Sequence, residues 1–374
     1  MFPARFQVVI FTIGLLLHFP LSAQTIRQTF LTDEPFAAGE TLVWTPAFQK
    51  CWDELAKNVG AEEIPLKPET PFVRHLNSFT FDYEATVPKR SHFVFIAGMG
   101  NQFIDQANAL IMAQFGGTVE PLAKNYFEPF GPDFFPPEDV LHRVLLSILS
   151  HNHDFTSSFV PNAKPLPFHG GSGAPQFTKS FGSWRGSQPA VPSSVKVLHY
   201  DAANRRHAIS IPGDAEDISL ILLMNESLDT VGAQIDQIHT WIKQAAANAT
   251  PDSLSFLQPI DTFLVPKLKL THHMDFADLL RGTAHFPGGD LVIARAGQSV
   301  QLTLHESGAE MVTKAYLIPP TFLSSDAGGA PGRTTPPNER QFVFDRPFSL
   351  MFWKKGAEIP FFFARIDIGA VEGF

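Results

Sequence analysis

Two short stretches set histidines where they could bind a metal. In "SHNHDF" His151 and His153 alternate and Asp154 follows; in "THHMDF" His272 and His273 precede Asp275. Two imidazoles at alternate positions of a strand share a face, so His151 and His153 could both ligate zinc. A catalytic zinc wants three protein ligands and an ordered outer shell, and no HExxH or comparable spacing supplies them. Turn-capping or exposed histidines are the expected outcome, and a metal-dependent hydrolase built on His151 and His153 is the weakest of the functional alternatives. There is no GxSxG elbow and no Walker loop, and the glycine cluster "AGMGNQ" has the wrong spacing for a dinucleotide. Carboxylates such as Glu62/Glu63 and Asp214/Glu216/Asp217 sit in polar turns, where solvation accounts for them. Nothing here requires catalysis, so the chain is expected to be no enzyme and to carry no metal and no cofactor.

A different kind of pattern occupies Leu304 to Tyr316, "LHESGAEMVTKAY", which runs into a Pro/Gly/Ser/Thr-rich stretch before the strand-like "QFVFDRPF". Side chains alternate across a strand. From the glycine onward one alternate set is Ala309, Met311, Thr313 and Ala315, without charge; the other is Glu310, Val312, Lys314 and Tyr316. The first set can be buried and the second can face solvent or a covering helix. On the residues alone, an ordinary surface loop between two antiparallel strands also fits, with Pro319, Pro320, Pro331, Pro336 and Pro337 keeping it extended.

The elements around these residues follow from periodicity. "ETLVW" reads as a strand. "TPAFQKCWDELAKNVG" reads as a helix with Thr45 capping, Phe48, Trp52 and Leu55 on one face and Gly60 closing it. From Ala61 to Lys89 helices should be short or missing. "SHFVFIA" leads into a helix over Gln102 to Phe115, and about Leu141 to Leu149 reads as a strand buried on both faces. Gly170 to Pro192 marks loops. "VKVLHYD", "RRHAISIPG" and "DISLILLMN" are three strands at hairpin spacing, followed by an amphipathic helix. "DTFLVPKLKLTHH", "LVIARAGQSVQLTLHE" and two long apolar strands joined by a Lys-Lys-Gly turn complete an α+β chain rich in antiparallel strands.

The chain opens "MFPARFQVVIFTIGLLLHFPLSAQT", with Arg5, a short apolar run and small residues at Ser22 and Ala23. That reads as a signal peptide over residues 1–23, its apolar run of about ten residues falling short of the ~20 that span a bilayer. The expected product is secreted or extracellular, or periplasmic if bacterial, with no membrane contact once the signal is removed. A net charge of −9 argues against nucleic acid as partner. A single cysteine, Cys51, excludes an internal disulfide, so 36 phenylalanines must supply the packing.

Taken in order, these segments resemble the serpin superfamily. "LVIARAGQSVQLTLHESGAE" is similar to a serpin strand ending in an acidic pair and a Gly-x-Glu hinge, with Glu306, Gly308 and Glu310 at the matching positions. "HAISIPGDAEDISLILLM", "VPKLKLTHHMDFADLLRG" and "FVFDRPFSLMFWKKGAEIPFFFARI" resemble later serpin segments, and "GETLVWTPAFQKCW" and "LLSILSHNHDFTSSF" resemble earlier ones more loosely. The family's first helix is missing. Phe48, Ser147 and Gln298 stand where serine, asparagine and histidine are usual in the polar gate of the central sheet; Thr45 keeps a hydroxyl, and Phe155 replaces a tryptophan.

The resemblance implies a single serpin-like domain over 24–374, with a large central sheet, smaller sheets, surrounding helices and a hinge and exposed reactive loop over 305–341. It implies a monomeric serine protease inhibitor that acts as a suicide substrate. A protease cuts the exposed loop, and the arm Glu306, Gly308, Ala309, Glu310, Met311, Thr313, Ala315 enters the metastable sheet with the acyl-linked protease attached. The scissile bond is expected at Phe322-Leu323, for an extracellular chymotrypsin-like protease, or at Arg333-Thr334 for a trypsin-like one. A non-inhibitory binding or scaffold protein of the same fold is the alternative.

Overall fold

The computed structural model describes residues 25–373, apart from residue 30 and the segments 98–100, 123–143, 172–173, 185–186, 188–193, 215–216, 248–252, 280–281, 287–288, 294–295 and 317–339. Three sheets carry the fold. A seven-stranded sheet contains β1 (Thr25–Thr29), β2 (Glu40–Trp44), β7 (Lys196–Asp201), β8 (Arg206–Pro212), β9 (Ile218–Met224), β17 (Phe348–Lys354) and β18 (Phe362–Ile366), in the order β1-β2-β18-β17-β9-β8-β7. A five-stranded antiparallel sheet contains β3 (His92–Ala97), β4 (Val144–Asp154), β11 (Leu268–Asp275), β14 (Gly297–His305) and β15 (Gly308–Tyr316), in the order β11-β14-β15-β4-β3. A four-stranded sheet contains β5 (Val160–Phe168), β6 (Gln176–Ser183), β10 (Thr262–Pro266) and β16 (Gln341–Val343), and a small ribbon pairs β12 (Thr283–Phe286) with β13 (Gly289–Val292).

The helices are α1 (Ala47–Val59), α2 (Pro71–Ser78), α3 (Tyr83–Thr86), α4 (Asn101–Phe115) and α5 (Val231–Ala247). α1 begins where the Ala47 N–H reaches the Thr45 hydroxyl and ends at Gly60, whose φ of 71° is the left-handed conformation that glycine adopts without a Cβ penalty. Its apolar face, Phe48, Cys51, Trp52 and Leu55, is buried against β4 and β15.

β17 explains the run "FSLMFW". Phe348 through Trp353 are all buried because both faces of the strand are covered. Phe352 meets His151 and His153 of β4 edge-on or tilted, while Met351 and Trp353 pack with Val231, Ile235 and Ile238 of α5. A strand buried on both faces has no polar alternation to keep, so it reads as a continuous apolar run.

Several expectations change. β6 lies inside the stretch 170–192 expected to be loops; its "QFTKSF" alternation is masked by flanking Gly, Ser and Pro, and Gly182 is required there because a Cβ would fall 1.8 Å from the Phe263 carbonyl oxygen. "DTFLVPKLKLTHH" is two strands in different sheets, divided at Lys267, whose N–H is taken by Lys179 O. "LVIARAGQSVQLTLHE" likewise divides into β13 and β14. The expected hinge and exposed loop over 305–341 meets a strand over Gly308–Tyr316: its backbone groups find ladder partners on both sides, and its charge-free side chains fill a buried face.

Candidate functional site

β15 is the middle strand of the five. Gly308 lies opposite His305 on one side and Asp154 on the other, and the pairing continues without a slip to Tyr316, opposite Gly297 and Leu146. β15 thereby matches β14 along its whole length. Its two faces differ as a strand's must. Ala309, Met311, Thr313 and Ala315 are at most 1% exposed and lie on the α1 side of the sheet. Glu310 is exposed, and Val312 packs against the cluster formed by Ile104, Ala107 and Ile111 of α4. Lys314 sends its Nζ to Glu120 O at 2.9 Å, and burial lowers its pKa.

The turn into β15 is held from three directions. Glu306 forms an ion pair with Lys267 at 2.6 Å; burial opposes its ionisation, but that partner keeps the carboxyl below its ordinary pKa. The Phe159 and Phe155 N–H groups donate to the carbonyls of Glu306 and Ser307. Gly308 lies so close to β4 that a Cβ would sit 2.6 Å from His153 O. Only glycine fits there.

No family model and no curated protein matches the chain. Its coordinates are similar to a cleaved, loop-inserted ovalbumin mutant, with a TM-score of 0.51 and 11% identity over 88% of this chain and 94% of that one. They are also similar to cleaved serpin 42Da, with a TM-score of 0.54 and 12% identity over 88% and 92%. The chain has the serpin fold. Both of those structures are cleaved forms, whereas this chain is one unbroken sequence.

Within this serpin fold the five positions expected to form the gate fall in three places. Ser147 and Gln298 are the two register partners of Ala315, and both are completely buried. Ser147 faces Cys51, whose thiol is pushed up to about 12 by burial, with the serine opposing the shift. Thr45 and Phe48 stand at the start of α1, where the Phe48 ring meets Phe276 edge-on at 4.5 Å. Phe155 is at the other end of β4, edge-on to Phe159 at 5.3 Å beside the hinge. Phe322, Leu323, Arg333 and Thr334 lie outside the described residues.

The histidines correct the expectation of turn caps and exposed rings. His151 and His153 are 7% and 2% exposed, wedged between β4 and Phe352 and Phe361. Burial, with a smaller contribution from His153, lowers His151 to about 3, and burial also lowers His153. Among the described residues no three His, Cys, Asp or Glu side chains are grouped to hold a metal ion. Sequence reasoning also missed β1, whose Gln28 reaches β14; the alternation in "TIRQT" is the only local signal, and it is too short to stand out.

Proposed function

We propose that this is a secreted serpin-fold protein that rests with its arm already in the sheet and, in this form, binds its extracellular partner without trapping it. The supporting observation is the pairing of Gly308–Tyr316 on both sides in an uncut chain. Trapping draws on free energy released when a cut arm gains ladder bonds and buries its side chains. An arm that already has both has little left to release.

The second reading is suicide inhibition of an extracellular serine protease, favoured by the charge-free set Ala309, Met311, Thr313 and Ala315 on the buried face. An arm with that pattern re-enters the sheet after any release, so a form with the arm out would carry the stored energy. Its bait would be Phe322-Leu323 for a chymotrypsin-like protease or Arg333-Thr334 for a trypsin-like one.

Mixing the purified protein with chymotrypsin-like, elastase-like and trypsin-like proteases separates the two. The resting-state reading expects cleavage within residues 317–339, a fully active protease afterwards, no SDS-resistant complex and a melting temperature that does not rise on cleavage. A covalent complex, or a rise in melting temperature on cutting, replaces it with the inhibitor reading.

A further inference from the structure

Among the described residues, a buried polar side chain links each strand beside β15 to the seven-stranded sheet, and on the β4 side the Asp214 N–H also donates to Asp154 O. On the β14 side the fastener is Gln28, 2% exposed. Its Nε2 donates to Gln298 O at 3.0 Å and lies 3.1 Å from His272 Nδ1 of β11, while its Oε1 accepts from Gln298 Nε2 at 2.8 Å. Gln28 belongs to β1, which pairs in parallel with β2 from Thr25 opposite Glu40 to Thr29 opposite Trp44. Arg27 adds ion pairs to Glu34 and Glu40. On the β4 side the fastener is His153, whose Nε2 donates to Ile211 O of β8 at 3.0 Å. Gly213 makes room for that ring, since a Cβ there would fall 2.7 Å from it.

Neighbouring strands sit about 4.7–4.9 Å apart, so the departure of β15 leaves a gap of roughly that width beyond normal spacing. Closing the gap requires β14 to move toward β4, or the reverse, by about one strand spacing. Hydrogen bonds of this kind do not survive stretching much past ~3.2 Å. The sheet can therefore close only by breaking the Gln28 contacts or the His153 contact, and if both hold, the gap stays open with unpaired backbone groups. Either outcome disfavours the arm-out state relative to the arm-in state, which is what a latch must do.

We propose that Gln28 and His153 form a two-sided latch that keeps the arm in the sheet, with the N-terminal strand β1 carrying one half of it. This rests on the reading that the arm-inserted form is the resting state, and it adds what holds that form.

The test is native-state hydrogen exchange on the full chain, comparing wild type, Gln28→Ala, the near-isosteric Gln28→Met and the control Arg27→Ala, which alters β1 without touching β14. Both Gln28 variants should raise exchange of the amides of residues 309–315 by about tenfold, the effect of losing one buried hydrogen-bonding group. Amides of β8, β9 and β17 should be unchanged, and Arg27→Ala should leave the arm within about twofold of wild type. Unchanged arm exchange in the Gln28 variants overturns the latch, and so does an equal rise across the seven-stranded sheet, which would make β1 a general stabiliser. The wild-type protease mixture decides the resting-state reading separately, so failure of one is distinguishable from failure of the other.

Discussion

Replacing Thr313 by arginine tests whether the observed face of β15 governs where the arm sits. Thr313 is fully buried, opposite Leu149 and Val300, and its hydroxyl donates to Met311 Sδ at 3.5 Å. A guanidinium there meets apolar side chains on both neighbouring strands and gains no carboxylate. An unpaired charge taken out of water costs several kcal/mol even after relaxation. At about 1.4 kcal/mol per tenfold, a cost near 4 kcal/mol shifts the arm's in-to-out equilibrium by roughly a thousandfold. Proteolysis after Glu310, by an enzyme specific for glutamate, reads this directly, because that bond is protected in the strand and open once the arm leaves. Arginine in place of Lys314, on the other face and already charged, should change cleavage only about twofold. If Thr313→Arg leaves the Glu310 bond as protected as in wild type, the strand is not held by its buried face and the reasoning fails.

Acid should loosen the whole fold. Burial holds His151 and His207 down to about 3 and His92 to about 4, against an ordinary value of 6.5. The unfolded chain therefore binds more protons below pH 6.5; the stability is fully present above that value and is lost as pH falls toward 4 and 3. Urea midpoints should drop over this range, and His151→Leu should make the drop shallower. Gly308→Val should raise Glu310 cleavage by at least tenfold, because the hinge strand must back away from the His153 carbonyl. Asp261 is buried and takes two hydrogen bonds from Arg340, at 3.1 and 2.7 Å. Arg340→Ala should therefore cost about 3–5 kcal/mol in urea unfolding by leaving that buried carboxylate with the Gln258 N–H but without its cation.

Local pattern carries the elements whose burial is one-sided. The alternation in β14, the period of α1 and its Gly60 stop can be read from neighbours a few residues away. What cannot be read locally is burial imposed from a distance. His151 and His153 sit in a polar-looking hexapeptide, yet Phe352 and Phe361, about two hundred residues further on, cover them. Gln28 looks like a surface residue until β1 pairs with β2 and brings it to Gln298. The arm is the sharpest case. Its alternation says which side chains face inward once it is a strand, but the same side chains serve an arm inside the sheet and one outside it. The letters describe a fit to a slot and are silent on whether the slot is filled.

Filling the slot in an uncut chain has a geometric requirement. β15 ends at Tyr316, at the far end of β14 from the hinge, whereas β16 remains paired with β10 in the four-stranded sheet and is anchored by Arg340. A path through the structure bounds the separation. About 34 Å from Tyr316 back to Glu306, about 10 Å across the Glu306–Lys267 pair, about 17 Å back along β10 and a last ~5 Å to Arg340 make at most about 66 Å at ~3.4 Å per residue. Residues 317–339 with their flanking bonds reach about 80 Å when extended, at roughly 3.3–3.6 Å per residue. The arm can therefore occupy its full length of β14 with β16 still in place and no peptide bond cut. The long Pro/Gly-rich stretch makes the arm-in, uncut state accessible without strain, and the flanking latch gives a reason for it to persist.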